Sequence, residues 1–193
     1  MSMQNTQQNT NTPSPSSPPP RIHKGVKIDD SILERTLIPY KRKKTIYLKE
    51  AYAEYVINDP DSEPENTARY SVKGSFSIPE SCYIDDTGHF NAVEFNICYN
   101  QLMYISFAYT IDKGLISAFD LSLEEYYHKQ LSNVYITHLE SHYKHVINPR
   151  NFHGVFKINK AKKRQGLIMV DTDIEFSDDG NGLAYGNVGV VIV

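Results

Sequence analysis

The sequence predicts an α+β domain in which a curved antiparallel sheet wraps around one buried helix. Three observations carry this. From Asn91 to about Thr110, apolar residues fall on every side of a helical wheel, and a helix apolar all round is buried all round. After Val134 the pattern turns β-like in four successive runs. Between the last two runs stands Asp178-Asp179-Gly180-Asn181-Gly182, a strong hairpin turn signal.

The elements follow in order. Met1–Pro20 is Gln, Asn, Thr, Ser and Pro with almost nothing apolar. Such a stretch cannot bury enough surface to offset its ordering entropy. Residues 1–24 are therefore read as a disordered tail, ahead of one domain over 25–193. Asp29–Leu37 reads as a short helix, capped by Asp30 or Ser31 and ended by Pro39. Tyr47–Ile57 is apolar-rich with mixed period, so strand and helix both fit. Asp59–Asn66 is a polar loop. Tyr70–Ile78 alternates cleanly and reads as a strand with one polar face. Pro79–Gly88 is a loop, and the long helix follows, about 30 Å at about 1.5 Å per residue. Ser122 with Glu125 forms a capping box at the start of a second helix, Ser122–Val134. Strands are expected over Val134–Val146, Phe152–Asn159, Gly166–Phe176 and Leu183–Val193. A sheet wrapped around a central helix accounts for this order, and that is the hot-dog architecture.

Composition narrows the function classes. The formal net charge is -3, which argues against a nucleic-acid binder. Met1–Pro20 has neither a basic start nor an apolar run, so it is not read as a secretory signal. No apolar run approaches a membrane span. Cys82 and Cys98 make no disulfide framework. A cytoplasmic protein is expected, with no membrane partner. His138 and His142 lie in a β-like stretch, where four residues span roughly 13 Å, so they are read as solvent-face histidines. No metal and no cofactor are expected. The basic runs Lys41–Lys44 and Lys160–Arg164 read as solvated surface, or as a surface attracting a carrier protein's acidic face or the phosphates of CoA. The second run is placed in a hairpin connection.

Chemistry is concentrated between Ser77 and Gln101. A helix start offers unpaired N–H groups and a partial positive charge. Aimed at a carbonyl, these stabilise an oxyanion. Gly88 permits close backbone approach, and His89 can serve as a base near neutral pH. Tyr83 and Asn91 can orient a water or the carbonyl. The structural alternative is that Asn91 and Glu94 form a capping box and His89 only packs. Glu94 fits a general base or the cap partner. Asn100, on the opposite side of the helix from Asn91, fits a structural bond or a substrate contact. Cys98, between Ile97 and Tyr99, reads as an inert core thiol.

The run Ser81–Gln101 contains Tyr83-Ile84, Thr87-Gly88-His89-Phe90-Asn91-Ala92-Val93-Glu94 and Cys98-Tyr99-Asn100-Gln101-Leu102. It resembles the FcoT-type thioesterase family. Pro39-Tyr40 upstream matches as well, as do Tyr126 with His128, Gln130, Leu131 and Ser132, and Asn148-Pro149 with Phe152. The resemblance covers nearly the whole chain after the tail. It implies a hot-dog fold, acyl-CoA or acyl-carrier-protein substrates, and a site without the usual hot-dog catalytic carboxylate. It places polar pocket residues at Tyr40, Tyr83, Asn91 and Asn100. Through members in isonitrile lipopeptide pathways it implies addition of glycine to a (2E)-enoyl carrier-protein thioester, followed by hydrolysis.

Both steps put negative charge on the thioester oxygen, so one oxyanion site serves either. Glycine addition also needs a base, expected at His89. It needs a cation for the glycine carboxylate, for which Lys144 or Arg150 is available. Catalysis is thus expected at His89, Tyr83 and Asn91, and substrate binding at Tyr40, Asn100, Gly88, Ala92, Glu94 and Lys144. The competing readings are a long-chain acyl-CoA thioesterase and a non-catalytic acyl-binding protein. An exposed sheet edge predicts a homodimer.

Overall fold

A computed structural model describes residues 21–57, 70–85 and 88–193. The first twenty residues and the expected loop Asp59–Asn66 lie outside the described residues. The elements are β1 (Arg21–Lys27), α1 (Asp30–Lys41), β2 (Leu48–Ile57), β3 (Tyr70–Phe76), α2 (Ala92–Lys113), α3 (Leu123–Lys129), β4 (Val134–His145), β5 (Phe152–Arg164), β6 (Leu167–Ser177) and β7 (Leu183–Ile192). The strands form one antiparallel sheet in the order β1-β2-β3-β5-β6-β7-β4. α2 packs against it, which is the hot-dog arrangement.

Several expectations are corrected. Residues Arg21–Lys24, assigned to the tail, belong to β1, where Arg21 pairs with Ile57. The register shifts between His23 and Val26, with Gly25 at φ 61. That glycine bulge breaks the alternation that would otherwise have marked a strand. α1 runs through Pro39 to Lys41, and its N-cap is Asp29, whose side chain makes no cap bond. Proline in the last turn removes one backbone hydrogen bond without ending the helix. α3 stops at Lys129 rather than Val134. β5 continues to Arg164, so Lys160–Arg164 lies in the strand itself; the turn is Gln165-Gly166, both at positive φ, as a two-residue hairpin turn requires.

α2 is not buried all round. Phe95, Cys98, Tyr99, Leu102, Ile105 and Tyr109 are sealed against the sheet, while Val93, Asn96, Ile97, Asn100 and Tyr104 form a partly open stripe. Below the helix start lies a cluster of Phe76, Phe90, Phe95, Phe152 and Phe176, with ring centroids 4.9–6.2 Å apart in neighbouring pairs. Gly74 and Gly154 face each other across β3 and β5 beneath it. A Cβ on Gly154 would come within 2.7 Å of the Phe176 ring, so the glycine makes room for the cluster. No helix among the described residues is long and apolar enough to cross a membrane.

Candidate active site at the start of α2

Asn91 is the N-cap of α2. Its Oδ1 accepts from Val93 N at 3.0 Å and Glu94 N at 3.4 Å, and its own N–H donates to Glu94 Oε2 at 3.3 Å. The capping box is therefore formed, and Glu94, only 3% exposed, is its partner. Capping does not exhaust Asn91. Its Nδ2 is buried and has no hydrogen-bond partner among the described residues. Backbone donors at the start are now accounted for: the cap takes those of Val93 and Glu94, and Phe95 N bonds Asn91 O. The Ala92 N–H, on an exposed residue, has no acceptor among the described residues. Asn91 Nδ2 and Ala92 N–H are thus two donors at one helix start; for the buried Nδ2, lack of an acceptor costs about 1–3 kcal/mol, while Ala92 is exposed.

A cleft of about 560 Å³ opens here. His89, Phe90, Asn91 and Ala92 form one side, and Tyr143–Ile147 of β4 and its exit form the other. Lys144 lies in that wall, its ammonium 5.9 Å from the Tyr185 ring centre. His89 is exposed and has an interaction partner of its own. Gly88 holds φ 75, a conformation that favours glycine, just ahead of His89. The cleft loop is clamped at both ends by one segment: Ile78 N donates to Pro149 O at 2.8 Å, and Phe90 N to Ile147 O at 3.3 Å. That segment is held in turn by Asp178, whose carboxylate accepts from Asn148 N, Gly180 N and Gly182 N at 2.7–3.0 Å. These bonds, that of Asn148 first, hold the Asp178 carboxyl below the ordinary aspartate range.

Not every expected residue joins this cleft. Tyr83 is 44% exposed in the loop and does not line it. Tyr40 sits in the last turn of α1, near Tyr104 and Cys98, where burial pushes its hydroxyl well above the ordinary tyrosine range. Asn100 is half-buried on the open stripe of α2. Arg150 lies outside the cleft lining, and its N–H bonds Asn148 Oδ1 at 3.0 Å. Cys98 is fully buried and its thiol is pushed well up by desolvation, which fits a core residue. His138 and His142 face solvent on β4, with Glu140 between them.

Two residues escaped the sequence reading. Asn96 has a buried Oδ1 without a partner among the described residues, on the same open stripe as Asn100; in the sequence it is only an interruption of an apolar run. Gln101 is fully buried, and its amide accepts from Tyr47 N and Leu48 N at 3.0 Å and donates to Thr45 O at 2.6 Å. No local signal marks it, because its partners lie some fifty residues away.

Known proteins are similar to this chain. A chain from Streptomyces coeruleorubidus named (2E)-enoyl-ACP glycyltransferase is 34% identical over 171 residues, 86% of this chain and 97% of that one. A Mycobacterium marinum chain of the same name is 34% identical over 165 residues, 83% of this chain and 84% of the other. A mutant thioesterase from Pseudomonas aeruginosa is similar in structure at a TM-score of 0.46 and 11% identity, over 86% of this chain and 94% of that chain. The match to the FcoT-like thioesterase domain spans residues 35–192, taking in the loop, the capped helix and every strand from β2 to β7. The chain belongs to the FcoT-like thioesterase family.

Proposed function

We propose that this enzyme adds glycine to a (2E)-enoyl thioester on an acyl carrier protein and then hydrolyses the thioester, releasing a 3-(carboxymethylamino) fatty acid. The carrying observation is Asn91 Nδ2 at the start of α2, buried and without a partner among the described residues, beside the Ala92 N–H that the cap leaves over. The glycyltransferase name of the relatives supports the carrier-bound enoyl substrate.

The mechanism follows from charge. The glycine amine attacks C3 of the enoyl group, and the electron pair moves to the thioester oxygen. Asn91 Nδ2 and Ala92 N–H donate to that enolate oxygen, and a proton returns to C2. In the second step water adds to the same carbonyl, the same donors hold the tetrahedral oxyanion, and the carrier thiol leaves. Donors fixed before reaction need no reorganisation, and removing one such donor costs about a hundredfold to a thousandfold in rate. His89, at the cleft mouth, takes the proton from the glycine ammonium. Lys144, across the cleft, pairs with the glycine carboxylate. Tyr83, on the exposed loop, orients the water or the thioester carbonyl. Tyr40 and Asn100, with Gly88 and Glu94 shaping the approach, line the path of the acyl chain and its thioester arm.

The working unit in this reading is a homodimer. Among the described strands β4 is an edge, bonded to β7 alone. Its residues Ile136, Leu139 and Tyr143 are exposed, and Val146 beyond it is 74% exposed. A second copy would cover this apolar edge and close the open side of the cleft. The compartment implied is the cytoplasm, where carrier proteins are loaded.

The test is product mass. Purified enzyme is incubated with a crotonyl carrier protein, with and without glycine. A released glycine adduct is expected only with glycine. Free enoic acid regardless of glycine would make it a plain thioesterase, and unchanged thioester a binding protein. His89→Ala should abolish the adduct; full activity would remove His89 from the mechanism.

A further inference from the structure

The two basic runs differ in what surrounds them. In β5, Lys163 bonds Asp120 at 2.9 Å, and Lys162 also has a partner. Lys41, Arg42, Lys43 and Lys44 are all exposed, and none forms an ion pair with another described residue. Adjacent uncompensated cations repel one another, and their field attracts an anionic partner.

These four cations stand on a fixed turn. Lys44 N bonds Lys41 O at 3.1 Å and Thr45 N bonds Tyr40 O at 3.2 Å. Lys44 holds φ 56, where glycine would be cheaper than lysine. Gln101 ties the far side of the turn to α2 through Thr45, Tyr47 and Leu48. Residues on both sides of the turn pack toward α2 and the loop before it, outside the cleft lining. Tyr40 precedes it and packs near Tyr104 and Cys98. Tyr47 follows it, with its hydroxyl on Glu80 O at 3.5 Å in the loop leading to Asn91. Beside the turn a groove of about 720 Å³ runs between α1 and β2. Lys41, Lys49 and Ile38 line this end of it, and Asp30 and Glu34 the other. Ile38 is 61% exposed.

We propose that this turn and the adjoining end of the groove dock the carrier protein. The carrier's acidic helix, beside the serine that bears phosphopantetheine, lies across Lys41–Lys44. It seats an apolar side chain on Ile38, and the arm passes Tyr40 toward Asn91. This rests on the carrier-thioester reading above, and binding can be measured apart from turnover.

Binding of a crotonyl-loaded carrier protein is measured by fluorescence anisotropy. The proteins are wild type, K41E/R42E/K43E/K44E, the neutral set K41Q/R42Q/K43Q/K44Q, and a control, K160E/R164E. The charge-reversed protein should lose about tenfold or more in Kd and the neutral set less, with the control unchanged; wild-type affinity should weaken with added salt. Turnover of the crotonyl N-acetylcysteamine thioester, which has neither phosphate nor carrier, should be the same in wild type and the reversed protein. Wild-type affinity in the reversed protein, or salt-independent binding by wild type, would overturn the docking surface. So would an equal loss on the small thioester, which would mark damage to the site. An equal rise in KM for crotonyl-CoA would assign the turn to phosphates instead, and also overturn it. Carrier binding by wild type with no glycine adduct from either thioester would sink the glycine reading and leave the docking intact.

Discussion

At Asn91 the two ends of one amide can be separated by substitution. Asn91→Asp keeps an oxygen to cap Val93 N and Glu94 N and adds a charge that a helix N-terminus tolerates well. It removes the Nδ2 donor. Unfolding stability should stay within about 0.5 kcal/mol of wild type, while kcat for adduct formation falls about a hundredfold or more. A variant with full kcat would leave Asn91 a cap and nothing else. Asn91→Ala loses both ends and should add about 1 kcal/mol of destabilisation in the same melt. Asn96 calls for the opposite pattern. Its Oδ1 is buried without a partner among the described residues, so Asn96→Leu should leave stability unchanged or higher. If the oxygen accepts from substrate, KM for the enoyl thioester should rise, and an unchanged KM would make Asn96 a structural residue. Tyr40 supplies a pH argument. Burial disfavours its phenolate and raises its ionisation above the ordinary value near about 10. Tyr40→Phe should therefore change the rate without changing the shape of the pH profile up to about pH 9. The capping half of Asn91 was legible in the sequence, because Glu94 stands three residues on. The donor half was not, since which end of an amide meets the helix is decided in three dimensions.

The cleft owes its shape to elements far from it in sequence. Asp178, in the β6–β7 turn, holds Asn148, and Ile147 and Pro149 on either side hold the two ends of the Ile78–Phe90 loop. Asp178→Asn replaces a charged acceptor of three backbone bonds. It should cost about 1–2 kcal/mol in chemical denaturation and raise KM by loosening the loop. The carboxyl lies below its unfolded value, so its contribution is full above the unfolded pKa of about 3.9 and is lost as pH falls through the lower folded value. The gap between wild type and variant should therefore close in acid. Gly154 is the corresponding constraint under the aromatic floor: Gly154→Ala should destabilise by about 1–3 kcal/mol through the Phe176 ring. The turn signal at Asp178–Gly182 was read correctly as a hairpin, but its reach to Asn148 is a tertiary contact that local pattern does not encode. For the same reason the length of β5 was underread. A register shift between Ile158 and Lys160 interrupts the alternation, so the basic residues beyond it looked like a connection.

As a whole, the molecule wraps its sheet around α2 as the pattern of apolar residues foretold, because burial of one long helix and alternation along the strands both survive in a linear sequence. What the pattern missed is asymmetry. Half of α2's N-terminal stretch stays open, and the sheet ends at β4 with apolar side chains uncovered. The proposed dimer predicts that Leu139→Lys shifts the sedimentation velocity of the protein from dimer toward monomer; wild type sedimenting as a monomer would refute it. β4 is both the outer edge of the sheet and one wall of the cleft. If that edge is where two copies meet, dilution removes part of the wall from every molecule at once. Product formed per molecule would then stop being constant at low enzyme concentration, and the initial rate would climb from first order toward second order in total protein.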